Sequence, residues 1–254
     1  MNAKETEMNG KEIKEGLAAL EARITFPYPA MCWYFTDNPG EDALAFKRDK
    51  WVCMFMYLKL AAKTGRPLSF SKDWGKACVG AIEYFGFRPI AKDSGWFLSD
   101  KEFFKKSRTL AEDYRKESRD RIYPPKASYL CMAPKERVRD EETVEVVNLF
   151  PDVAGLTDLS AMMGYDREEN SGNVQIPFAS GCQSLFTLPY DQGFKKRPYA
   201  VAGVSDPFAR NFIPKDMLTF SLPASRFLEI IDNIPGSFLD PPHAISTTGY
   251  NIEP

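Results

Sequence analysis

Cys53, Cys78 and Cys182 each fall at the start of an expected helix, behind Asp49, Asp73 and Ser180 as candidate N-caps. A helix N-terminus carries partial positive charge, so a thiolate there is stabilised and becomes a better nucleophile or metal ligand. If the fold gathers the three helix starts, the chain holds a three-thiol site. Cys53 sits among Trp51, Val52, Met54, Phe55 and Met56, an apolar stretch in which cysteine packs as a small hydrophobe. Ala77-Cys78-Val79-Gly80 and Ser180-Gly181-Cys182-Gln183-Ser184 place small residues beside sulfur, which leaves room for a ligand or cluster to approach. No Cys-x-x-Cys pair is present, so spacing alone carries no metal signature. Two readings stand: thiolate ligands, or buried core residues.

Other chemistries have little to draw on. His243 is the one histidine and lies between prolines and a threonine pair, so histidine-centred nucleophilic or metal sites are disfavoured. The phosphate-cradling P-loop and Gly-x-Gly-x-x-Gly turns are missing. Residues 101–126 contain nine basic and five acidic residues and are expected to present a solvated face. Lys195-Lys196-Arg197 is expected to be a charged turn before a strand, with an anionic ligand or partner as the rarer alternative. Asp166, Glu168 and Glu169 belong to an expected wet loop.

The elements that must position the thiols are those of one large core. A chain of 254 residues with 44% hydrophobic and 13% aromatic content can bury such a core without staples. No linker or repeat divides it, so one domain over 1–254 is expected, with 1–8 frayed and 235–254 an irregular tail. The net charge of −2 argues against a broad footprint for nucleic acid or anionic membrane; any such binding would have to be local. The longest apolar run, 51–62, contains Lys59 and is too short to span a bilayer. No membrane or nucleic-acid partner is expected, while a small-molecule or protein partner and an oligomer stay open. Five scattered cysteines and no signal-like start point to a reducing, cytoplasmic setting.

Ile13, Leu17, Leu20 and Ile24 form the stripe of an amphipathic helix, and the aromatic run 30–36 a buried strand. Trp51, Phe55, Leu58 and Ala62 share a helix face that Gly65 ends, and Gly86 ends a helix over 74–85. Phe103, Leu110, Ala111, Tyr114, Ser118 and Ile122 mark one face of a longer helix before Pro124. Runs 128–133 and 143–150 are expected to pair as neighbouring strands. A helix over 156–164, a loop over 166–173 and a strand over 174–178 follow, then a Ser180-capped helix to Leu188. Strands at 199–204 and 217–222 lead to a last helix, 224–233, with Phe227, Ile230 and Ile231 inward. Strands and helices intersperse without strict alternation, which predicts an α+β fold with a mixed or largely antiparallel sheet and flanking helices.

The order of short motifs resembles domain of unknown function 169, the archaeal cysteine-rich group. The likeness rests on Tyr28-Pro29-Ala30, Val52-Cys53, Ala77-Cys78-Val79-Gly80-Ala81 before Phe85-Gly86-Phe87, Gly181-Cys182-Gln183-Ser184 before Tyr190, and the closing strand and helix over 218–231. The resemblance implies that Cys53, Cys78 and Cys182 are ligands of an iron–sulfur cluster or another thiolate-bound metal, with a redox or small-molecule role. The chain departs from the pattern near 199–210, where Val204 and Ser205 stand where a further cysteine is expected. Cys32, Cys131 or an exogenous group would then complete a four-ligand centre.

Overall fold

A computed structural model of the chain describes residues 8–45, 53–73, 79–204, 206, 209–214 and 216–240. Asp49, Cys78, His243, residues 1–7 of the expected frayed start 1–8 and residues 241–254 of the expected tail 235–254 lie outside them. Strand β1 (Met31–Thr36) carries no charge and is apolar on both sides. It therefore occupies the middle of a sheet buried on both faces. β4 (Tyr129–Pro134) and β5 (Val144–Leu149) flank it, both antiparallel to it.

That arrangement corrects the expectation that β4 and β5 are neighbours. Both run opposite to β1, so they are parallel to each other, and a hairpin cannot join them. Residues 135–143 instead carry the chain past the sheet, burying Val138, to the far end of β1. On one side the sheet continues through β3 (Leu68–Phe70) to β2 (Leu44–Ala45). On the other it runs through β8 (Thr219–Pro223) and β7 (Ala200–Gly203) to β6 (Val174–Gln175), giving the order β2-β3-β4-β1-β5-β8-β7-β6. The outermost pairs are parallel and the rest antiparallel, the mixed sheet of the expected α+β class. β2 and β3 are too short to show an alternating pattern in the sequence.

Helices cover both faces. α1 (Gly10–Glu21), capped by the Asn9 side chain, buries Ile13, Leu17 and Leu20 completely. With α6 (Val153–Gly164) and α8 (Ala224–Asp232) it packs on Cys32, Tyr34, Cys131 and Phe220. On the opposite face, α2 (Met54–Thr64) and α3 (Val79–Tyr84) pack on Met31, Trp33, Phe70 and Met132. A π-helical turn over Gln183–Thr187 and α7 (Leu188–Gln192) complete that layer. Gly65 and Gly86 end α2 and the α3 segment with φ of 66° and 81°, as their sequence positions predict. Among the described residues no helix is long and apolar enough to cross a membrane.

The long helix expected over 101–126 shortens to α5 (Arg108–Arg119), and a separate short helix, α4 (Trp96–Asp100), precedes it. Ser107 caps α5, its hydroxyl accepting from the Leu110 N–H, so Phe103 lies outside the helix and is 80% exposed. Ala111 and Ser118 do face inward, but Leu110 does not. The strand expected over 174–178 shortens to β6.

Arg226 of α8 is buried and holds the loop after α6 in place. Its guanidinium donates to Asp166 at 2.6 and 2.7 Å and to the Met163 carbonyl at 3.0 Å. Hydrogen bonding from Arg226, aided by Asn233, holds the Asp166 carboxyl down at about 2, below its ordinary 3.8. A depressed carboxyl contributes stability above its unfolded value, and the contribution is lost as pH falls through its folded value. Melting temperature should therefore drop between about pH 3.8 and 2, and Asp166→Asn should flatten that part of the profile. An unchanged acid limb in this variant would remove Asp166 from the account.

Candidate functional site

The segment around Cys182 is built by a reciprocal cap. The Ser180 hydroxyl accepts from the Gln183 backbone N–H at 3.4 Å, and the Gln183 side-chain oxygen Oε1 accepts from the Ser180 N–H at 3.1 Å. Ser-x-x-Gln is a capping box, so the helix starts where the sequence places it and Cys182 lies in its first turn. The helix then widens into the π-helical turn Gln183–Thr187, a geometry that often accompanies functional sites. Gln183 also accepts from the Tyr114 hydroxyl at 2.5 Å and donates to Ser118 at 2.9 Å, which fastens α5 to this turn.

Cys53 is the N-cap residue of α2, with extended backbone (φ −68°, ψ 140°). It thus precedes the first turn rather than lying within it. Cys53 is half-buried and Cys182 is 6% exposed, and both belong to the same apolar cluster on the α2/α3 face. The contact that joins their neighbourhoods is Phe55 against Gly181: a Cβ at position 181 would stand 2.0 Å from Phe55 Cε2. Only glycine permits that approach.

Cys78 lies outside the described residues, immediately before α3 in the chain. The last residue of α3, Tyr84, belongs to the same apolar cluster as Cys182. The Tyr84 hydroxyl is pushed up first by burial, with Cys182 and Glu83 adding to the shift and Arg115 opposing it. Thr187 donates to the Tyr84 carbonyl at 2.8 Å, so α3 runs beside the π-helical turn. Arg115 pairs with Glu83 at 2.8 Å and donates to the Tyr84 hydroxyl at 3.2 Å. The sequence reading missed this Glu83–Arg115–Tyr84 group and the bridging role of Gln183. The Ser-x-x-Gln spacing was the one signal available for the latter.

The remaining thiols behave differently. Cys32 and Cys131 are free, buried thiols of β1 and β4 in the cluster on the α1/α6/α8 face. Burial pushes each up to about 12, which keeps them protonated and inert at neutral pH. Side-chain parity explains the segregation: Cys32 points opposite to Trp33, whose ring lies in the α2/α3 layer. Neither can complete a centre with Cys182, so the expectation that one of them supplies a fourth ligand is corrected. Among the described residues no group of three or more His, Cys, Asp or Glu side chains is gathered as for a metal ion. Among the described residues the cysteines of the α2/α3 face are Cys53 and Cys182.

A family model described as DUF169, Uncharacterised ArCR, matches residues 19–233. No curated protein and no solved structure matches the chain.

Proposed function

This chain belongs to the uncharacterised DUF169 family, and within that family we propose that it is a thiolate-ligated metal or iron–sulfur protein with Cys53, Cys78 and Cys182 as ligands. The single observation that carries this reading is the approach of Phe55 to Gly181, which brings the start of α2 beside the helix whose first turn holds Cys182. Cys78 precedes the third helix of the same layer, the one whose last residue, Tyr84, shares the apolar cluster of Cys182 and accepts at its carbonyl from Thr187. Helix starts favour ionised sulfur, and half-buried Cys53 offers a side for a ligand to enter. With Cys32 and Cys131 across the sheet, three chain thiolates leave one position for an external ligand. A redox or small-molecule role suits such an open centre. A reducing cytoplasmic setting, in which Cys32 and Cys131 stay as thiols, is part of the proposal.

The near-complete burial of Cys182 within an apolar cluster favours a second reading, in which the cysteines are core residues of a module that binds a small ligand or partner. One experiment separates the two. Protein purified without oxygen is assayed for iron, zinc and acid-labile sulfide, alone and with Cys53, Cys78 and Cys182 all changed to serine. Under the first reading the wild type carries a stoichiometric metal or cluster, and the triple variant loses it together with the stability that ligation confers. In metal-stripped protein iodoacetamide should then label Cys53 before Cys32 or Cys131, and metal should slow that labelling. A colourless, metal-free wild type whose triple variant melts at the same temperature would leave only the second reading.

A further inference from the structure

The hairpin of α4 and α5 exposes an unusual amount of apolar surface. Trp96 is 42% exposed, Phe97 47%, Phe103 80% and Leu110 50%, all within 15 residues of one another in the chain. Scattered exposed apolar side chains are ordinary, but a group of this kind on one small unit marks an interaction surface. Phe103 adds a second signal, because its φ is 56°, a left-handed conformation that bulky residues rarely adopt. Strain of this kind persists where surrounding structure imposes it, and it gathers at functional positions. Here the imposition is visible. The Glu102 N–H donates to the Phe97 carbonyl at 3.0 Å, and the N–H groups of Phe104 and Lys105 donate to the Leu98 carbonyl at 2.8 and 3.1 Å. Arg108 Nε donates to Asp100 at 2.7 Å and clamps the base of the turn. The turn holds an aromatic ring in water on a fixed platform.

The charges around it are mostly positive. Lys101, Lys106 and Lys116 are exposed and form no ion pair among the described residues. The Lys105 ammonium lies over the rings of Tyr114 and Phe178, 4.8 and 4.6 Å from their centroids. Of the hairpin's carboxylates, Asp100 is engaged by Arg108, Glu112 by the Gly95 N–H and Glu117 by Arg121; Glu102 is half-buried, whereas Asp113 is exposed. With Arg108 held by Asp100, the unpaired cations beside the aromatic residues are, among the described residues, lysines, which suit one occupant best. Protein interfaces are depleted in lysine, whereas a bilayer surface takes aromatic rings at headgroup level with lysines reaching the anionic headgroups. We propose that the α4–α5 hairpin docks on an anionic phospholipid surface, with Trp96, Phe97 and Phe103 entering the headgroup layer and the lysines pairing with lipid charge. The chain's net charge of −2 confines the attraction to this hairpin, and no described helix can span a bilayer, so the contact is peripheral.

The test is cosedimentation of the full chain with phosphatidylcholine vesicles and with vesicles containing about 30% phosphatidylserine. Binding to the mixed vesicles is expected to exceed binding to phosphatidylcholine and to weaken as salt is raised. Lys101→Glu with Lys106→Glu should reduce partitioning at least about tenfold. Phe103→Gly should reduce it about tenfold while leaving the urea midpoint near wild type, since glycine accepts the left-handed backbone. That midpoint separates lost docking from lost folding, and Phe103→Asn, which also tolerates this conformation, provides a second reading of the same position. Equal binding to both vesicle types, or unchanged partitioning of Phe103→Gly, would overturn the proposal. So would binding of a single-stranded oligonucleotide, or self-association through the hairpin, in protein that ignores vesicles.

Discussion

Trp33→Ala is expected to lower the free energy of unfolding by about 3–5 kcal/mol, the range for truncating a buried large aromatic. Trp33 is fully buried at the centre of the sheet and touches three other rings: Phe70, Phe85 and Phe186, at centroid distances of 5.6, 5.4 and 5.1 Å. Those rings belong to β3, the residue after α3 and the π-helical turn, so the indole ties three elements to β1. Its indole N–H also donates to the Asn148 side-chain oxygen Oδ1 at 2.5 Å. The Asn148 amide nitrogen in turn donates to the Leu185 carbonyl at 2.8 Å and to Ser221 at 3.0 Å. The alanine variant loses packing and also leaves a buried amide oxygen without its donor. Trp33→Phe separates the two effects, because it keeps most of the ring contacts and loses only the hydrogen bond, at about 1–3 kcal/mol. Urea titration with an unchanged m-value is the measurement. A loss below about 1 kcal/mol for Trp33→Ala would mean that the core repacks freely around the vacancy, against the usual behaviour of close-packed interiors.

Gly181→Ala is expected to cost about 1–3 kcal/mol through overpacking and to disturb the thiol neighbourhood in the same step. The added methyl would meet Phe55 Cε2 at 2.0 Å and Cδ2 at 2.5 Å. Phe55 is fully buried, so its ring has no solvent to move into, and α2 must shift away from the helix whose first turn holds Cys182. Gly→Ala propensity alone would predict the opposite sign, since alanine stabilises a helix relative to glycine by about 1 kcal/mol. The experiment is thus a contest between local preference and tertiary contact. Destabilisation accompanied by faster alkylation of Cys53 in metal-free protein is the expected pair of results. A stabilised variant would show that Phe55 and Gly181 are not in contact, and the argument for a shared thiol neighbourhood would fall with it.

Much of the helix layer was legible in the chain because its signals are local. The stripe Ile13, Leu17, Leu20 is the fully buried face of α1, and Gly65 and Gly86 end their segments with left-handed backbone. Ser180 starts the Cys182 helix as a cap. The hairpin of α4 and α5 was misread because Phe103 and Leu110 keep helical spacing with Ala111 and Ser118. Periodicity does not register a new cap at Ser107 or a left-handed residue before it. The candidate site was legible only as three residues sharing a helix-start context. That Cys53 is itself the cap, and that Phe55 lies on Gly181, needed coordinates.

The sequence by itself determined what neighbouring residues decide among themselves: the stops at Gly65 and Gly86, the cap at Ser180, the inward stripe of α1, and that β1 is a buried strand. Tertiary structure decided the order of the strands, with β1 between β4 and β5, and therefore which thiols share a layer. The physical reason is that alternation along a strand fixes parity but not partner. Cys32 must oppose Trp33 in any fold, yet only the packing of α2 and the Cys182 helix on the Trp33 side puts Cys53 and Cys182 on one face and Cys32 and Cys131 on the other.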